Sequence, residues 1–189
     1  MVKIAILHEG NTQKTNDNEL LKLLIQDLGL DLNRVEFFGF GPKSNFFKID
    51  NPKYDRLKLQ IEEEAISRVL FVVDADYEIT DIKYGGFDNT KNELEKIINS
   101  LKISDIADTY ITCSPQTKDG YLESLILSSI PQKQKECIES FLDCSEFKSK
   151  ENHKSILNEI YTKAYPKAPY DFTHTNFNEL KEKLQNLFK

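Results

Sequence analysis

The chain reads as an α/β protein: a mostly parallel central sheet with helices on both faces and a helical C-terminal extension. Three observations predict this. Short apolar runs rich in β-branched residues alternate with amphipathic stretches of helical period as far as Cys113, the pattern of a parallel sheet built from β-helix-β units. One run, Val69 to Val73, is apolar at five consecutive positions, as in a strand buried on both faces. Beyond Ser129 the sequence has only helical periodicity.

In chain order, Val2 to Leu7 is the first strand, and it runs into His8-Glu9-Gly10-Asn11. Asn16 or Asp17 caps a helix from Asn18 to Leu28 whose inner stripe is Leu20, Leu21, Leu24, Ile25 and Leu28, and Gly29 stops it. Val35 to Phe40 is the second strand. The Gly41-Pro42-Lys43-Ser44-Asn45 loop after it could approach a phosphate, but it lacks the Gly-Lys-Ser/Thr of a nucleotide-binding loop and reads better as a plain turn. Tyr54 to Ser67 is helical, with Glu62-Glu63-Glu64 on a solvated face. The third strand then ends in Asp74-Ala75-Asp76.

Tyr77 to Asn89 is a polar loop over this strand end, and Thr90 caps a helix from Lys91 to Leu101 with Leu94, Ile97, Ile98 and Leu101 inward. Thr109 to Cys113 is the fourth strand. Helices follow over Tyr121 to Ser129, Gln132 to Leu142, Asn152 to Tyr165 (ended by Pro166 and Pro169) and Asn176 to Phe188, the last with Phe177, Leu180, Leu184, Leu187 and Phe188 as its docking stripe. Residues 1–189 read as a single domain, with an α/β core over 1–115 and a helical extension over 116–189 packed on it.

Composition narrows the function classes. The 189 residues are 39% hydrophobic and 30% charged, an ordinary globular balance. No apolar run approaches the ~20 residues of a membrane span, and the N-terminus is too soon charged for a secretory signal, so a cytoplasmic location without membrane association is expected. Cys113, Cys137 and Cys144 lack Cys-x-x-Cys spacing and read as reduced core residues, the last two sharing a buried helix face. The net charge of −6 does not advertise nucleic-acid binding. From Pro131 onward, however, ten Lys and no Arg stand against nine Asp plus Glu, a net of +1, which leaves −7 on the first 130 residues.

The chemistry-bearing residues are carboxylates at strand ends. Open α/β sheets bind ligands beyond the carboxyl ends of their strands, where Glu9, Asp74 and Asp76 fall. Alternate residues of an extended chain point the same way, so Asp74 and Asp76 are expected to converge. Such a pair repels itself unless a cation lies between or one group takes a proton, and hard oxygen ligands suit Mg²⁺ or Mn²⁺. Asp74 and Asp76 equally suit a turn or a helix cap. His8, His153 and His174 show no catalytic spacing, and His8 reads as structural.

A Glu-Gly after the first strand and an Asp-x-Asp after the third resemble the Toprim domain of topoisomerases, primases, recombination-repair proteins and overcoming-lysogenization-defect nucleases. The match covers roughly Met1 to Pro115. A small stand-alone Toprim-related family of unknown function is similar overall. The resemblance implies a Rossmann-like sheet and Mg²⁺- or Mn²⁺-dependent phosphoryl transfer on DNA or RNA. Asp74 and Asp76 would hold the ion, with Glu9 as a further ligand or general acid/base. Asp119-Gly120-Tyr121-Leu122-Glu123 resembles the stretch whose Glu serves a second ion in nuclease-type members. Lys154 matches a Lys on a later helix, implying stabilisation of developing charge. Glu123 equally suits a surface helix and Lys154 a solvated lysine.

The sequence departs from the family in having Tyr77 where Gly or Asp often follows Asp-x-Asp, and no ATPase, zinc or DNA-gate segment is present. Nucleic acid bound weakly, or an ATPase or other protein partner, is implied. A haloacid-dehalogenase-type phosphatase fits less well, because Glu78 stands where its motif needs Thr or Val and the motif follows the third strand. A receiver-like domain would need an acidic pair on the first strand, where only Glu9 stands. The serious alternative is a non-catalytic metal- or nucleotide-binding module.

Overall fold

The computed structural model describes residues 2–10, 16–145, 156, 159 and 171–189. Its core is a four-stranded, all-parallel sheet in the order β2-β1-β3-β4, formed by β1 (Lys3–His8), β2 (Val35–Gly39), β3 (Ile66–Asp74) and β4 (Ala107–Thr112). Helices α1 (Asn16–Asp27), α2 (Lys43–Phe46), α3 (Pro52–Glu62) and α4 (Phe87–Leu101) lie in the connections. α5 (Leu122–Ser129), α6 (Gln132–Cys144) and α7 (Asn178–Leu187) follow.

The alternation of side chains along the strands sorts the core into two layers. Ala5, Leu7, Phe71 and Val73 face α3 and α4 through Tyr54, Leu57, Leu94 and Ile97. Ile4, Ile6, Leu70 and Val72 face α1, α5 and α7 through Leu21, Leu24, Leu125, Leu180 and Leu184. Both faces are therefore covered, which is why β3 carries no polar alternation. The helix placement follows from the right-handed crossover rule. The chain steps from β1 to β2 in one direction and from β2 through β3 to β4 in the other, so α1 takes one face and α3 and α4 the other.

Local signals set several boundaries. Gly29 closes the end of α1 at φ +67, with its own N–H bonded to Gln26 and the Leu30 N–H to Ile25. The α7 stripe of Leu180, Leu184 and Leu187 is buried as its periodicity predicts.

Other expectations are corrected. α3 ends at Glu62, and β3 begins at Ile66 rather than Val69, because Glu64 enters the left-handed region at φ +56. α4 starts a turn before the expected Thr90 cap. Gly86 is its N-cap, and Thr90 lies buried inside it, donating to the Tyr84 and Ala75 carbonyls. Cys113 is buried, but Cys137 and Cys144 are exposed. α6 buries only Leu142, so the face those two cysteines share lies in solvent. Among the described residues no helix is long and apolar enough to cross a membrane. The helix expected over 152–165 lies outside the described residues except at 156 and 159.

Candidate functional site at the carboxyl edge of the sheet

In the order β2-β1-β3-β4 the chain leaves β1 to one side and returns to the other, so the topological switch point lies between β1 and β3. A crevice at such a point is the ordinary ligand site of an open α/β sheet. Glu9 follows β1 directly, and Asp74 ends β3. Glu9 Oε1 accepts a hydrogen bond from the Asp74 backbone N–H at 2.9 Å, tying the two strand ends together beyond the last ladder pair. Burial and the nearby Asp76 carboxylate push the Glu9 carboxyl up to about 8, against the pull of Lys43 and of that N–H. Glu9 therefore holds a proton over much of the neutral range.

Asp76 does not continue the strand. Its φ is +58, a conformation sparsely populated by non-glycine residues. It is held there by a two-way backbone bridge to Gly120, with N···O distances of 2.6 and 3.0 Å. Gly120 has φ +89, and a Cβ there would stand 2.3 Å from Ser124 Oγ, so a side chain would push the bridge apart. A second two-way bridge, Gly10 to Gly41, joins the ends of β1 and β2.

The turn at Asp76 breaks the extended geometry that was expected to bring it alongside Asp74. Asp74 keeps the strand alternation, on the side of Val72. The Asp76 carboxylate instead meets Lys43, whose Nζ donates to Asp76 Oδ2 at 3.3 Å and to the Ala75 carbonyl at 2.8 Å. Lys43 is 6% exposed. It opens α2 in the Gly41 to Asn45 loop, whose sequence suits a plain turn better than a phosphate site and does not single out this lysine for Asp76. The signal was topological: that loop leaves β2, the neighbour of β1, at the same sheet edge.

Glu123 is buried in the first turn of α5, where the helix N-terminus favours a carboxylate. The neighbouring Tyr121 phenol is pushed up by burial, then by Tyr77 and by the Glu123, Asp74 and Asp76 charges. Asp74, Asp76 and Glu123 thus all act on one phenol, while Glu9, Asp76 and Lys43 form a second group, with Asp76 common to both. Lys154 lies outside the described residues.

His8 is fully buried. Its Nδ1 donates to the Glu9 carbonyl at 2.6 Å, and its Nε2 accepts from Asn18 at 3.2 Å. Burial lowers its pKa, so the ring is a neutral strut beneath Glu9. Beside the edge a cleft of about 840 Å³ opens between Tyr77 to Ile79, the start of α4 and Thr117 to Asp119. Ile79 and Ile82, on the loop above, are 90% and 87% exposed.

The donors have the right chemistry for Mg²⁺ or Mn²⁺, being hard carboxylate oxygens. Their arrangement is not a coordination shell. Among the described residues no three His, Cys, Asp or Glu side chains group as a metal-ligand set, and an ammonium already stands against Asp76. Glu9, Asp74 and Asp76 share one sheet edge without forming a three-carboxylate set. No family model matches this chain, and no curated protein or solved structure matches it either.

Proposed function

We propose that this chain is a Toprim-like phosphoryl-transfer protein acting on nucleic acid, with the Mg²⁺ or Mn²⁺ dependence that the resemblance implies. The observation that carries the reading is the Glu9–Asp74 hydrogen bond across the switch point, with Asp76 at the same edge. A carboxyl group that exchanges its proton near neutral pH suits general acid/base work on a leaving or attacking oxygen. Lys43 supplies a buried positive charge beside it, suited to an anionic phosphodiester. The cleft lined by Tyr77, Phe87 and Lys118 adjoins this edge and offers room for a nucleotide.

A protein of net charge −6 binds a polyanion weakly, and added salt should weaken that binding further. The test is a cleavage screen on single- and double-stranded DNA and RNA with each metal. Wild type should cleave and Glu9→Gln should not, because the variant removes the exchangeable proton at nearly constant size. Absence of cleavage by wild type under every condition, or equal cleavage by Glu9→Gln, overturns the reading.

One observation favours the second reading, a non-catalytic metal- or nucleotide-binding module working with an ATPase or other partner. The Lys43–Asp76 pair already neutralises a carboxylate that catalysis would need for metal. A nucleotide-binding signal that persists in Glu9→Gln, without turnover in wild type, would favour that module.

A further inference from the structure

The structure contains a mismatch between its donors and their arrangement. Carboxylates suited to a divalent ion lie at one sheet edge, yet one of them is occupied by a buried ammonium. Lys43 Nζ is not a passing surface contact. It is fixed at two points, the Ala75 carbonyl at 2.8 Å and Asp76 Oδ2 at 3.3 Å, and its side chain is 6% exposed. A buried ammonium is retained only where hydrogen bonds and an opposite charge compensate its lost hydration. Both are present. Both points of attachment lie on the short segment that turns left-handed at Asp76, so the same ammonium neutralises the carboxylate and holds the turn that aims it.

We infer that Lys43 is the resident cation of this edge, a positioning residue that fixes Asp76 and competes with any divalent ion for its carboxylate. The inference rests in part on the phosphoryl-transfer reading, since the divalent ion comes from it. Its physical content is separable: a charge coupling between Lys43 and Asp76 exists with or without metal. An added divalent cation must displace the ammonium or bind against its repulsion, which at a few ångströms weakens binding by about tenfold or more even at a protein-like effective dielectric.

The experiment uses the full chain as wild type, Lys43→Met, Lys43→Arg, Asp76→Asn and the Lys43→Met/Asp76→Asn double variant. Melting is followed in EDTA, and Mn²⁺ binding by electron paramagnetic resonance. Lys43→Met should melt roughly 6–12 °C below wild type. Most of that loss should vanish when the same change is made in the Asp76→Asn background, because the carboxylate charge that Lys43 compensates is then absent. Lys43→Met should bind Mn²⁺ about tenfold tighter than wild type, whereas a merely structural lysine would leave affinity unchanged or lower it. Lys43→Arg, which keeps the charge, should stay near wild type in Mn²⁺ affinity.

Mn²⁺ bound with measurable and equal affinity by wild type and Lys43→Met, or a melting loss undiminished in the double variant, overturns the inference and leaves the proposed function standing. No Mn²⁺ bound by wild type or Lys43→Met, with the coupling to Asp76 intact, supports Lys43 as the resident cation and overturns the metal-dependent reading instead. Should Lys43→Met fail to fold, restored folding in the double variant supports the inference and continued misfolding overturns it.

Discussion

The two ends of the sheet carry the same kinds of charge in different surroundings. Near the amino ends of the strands, Lys183 meets Asp108 at 2.9 Å, and Lys3 and Arg56 both meet Glu36. At the carboxyl end, Lys43 meets Asp76 at 3.3 Å. Distance alone would rank Lys183–Asp108 as the stronger pair. Exposure reverses the ranking: 21% and 46% for Lys183 and Asp108, against 6% and 27% for Lys43 and Asp76. Water screens the first pair and competes for both partners, whereas little water reaches the Lys43 ammonium. Loss of the Lys183 charge should therefore be tolerated, and loss of the Lys43 charge should not.

The largest expected effect breaks the pair at the carboxyl end. Lys43→Met leaves Asp76 without its ammonium and should cost about 3 kcal/mol, read from denaturant unfolding in EDTA. A loss below about 1 kcal/mol would place the pair in the same class as the surface ones.

The next effect is one of pH. The Glu9 carboxyl lies at about 8 in the folded chain against an ordinary value of 4.5. Between those values the folded state binds a proton that the unfolded state has released. Stability from Glu9 is thus fully present below about 4.5 and is lost as pH rises toward 8, with a slope approaching 1.4 kcal/mol per pH unit, about the full single-proton value. Glu9→Gln should flatten that slope. Parallel stability profiles for wild type and variant from pH 5 to 8 in EDTA would contradict it.

Gly120→Ala should cost about 2 kcal/mol, since the new Cβ meets Ser124 and the φ of +89 suits glycine alone. If the bridge to Asp76 orients that carboxylate, the variant should also weaken the coupling between Lys43 and Asp76 in a double-mutant cycle. The smallest effect belongs to the amino end: Lys183→Met should change stability by less than about 1 kcal/mol, and the change should shrink further in added salt.

Much of the fold was legible because each strand and helix carries its own signature. The five-residue apolar run of β3 and the leucine stripes of α1 and α7 report burial directly, since period and apolarity follow from which faces are covered. The start of α4 was not legible. Thr90 looks like a cap in sequence, but its hydroxyl is used inside the helix, donating to the Tyr84 and Ala75 carbonyls. The cysteines of α6 looked buried by type, yet the helix fully buries only Leu142 and packs Ile138 partly buried beside it.

The candidate site divides in the same way. The sequence by itself determined that Glu9 and Asp74 follow apolar strands, and hence that a parallel sheet would gather them at one edge, because parallel strands end together. It did not determine where Asp76 points. A left-handed turn at a non-glycine residue is a local choice of only about 1–3 kcal/mol, decided here by a backbone bridge to Gly120, 44 positions away. Nor did it determine that Lys43 would be the cation of that edge. A lysine in a Gly-Pro loop is solvated in most settings, and it becomes a buried charge only when tertiary packing carries α2 against β3 and supplies a carbonyl and a carboxylate to compensate it.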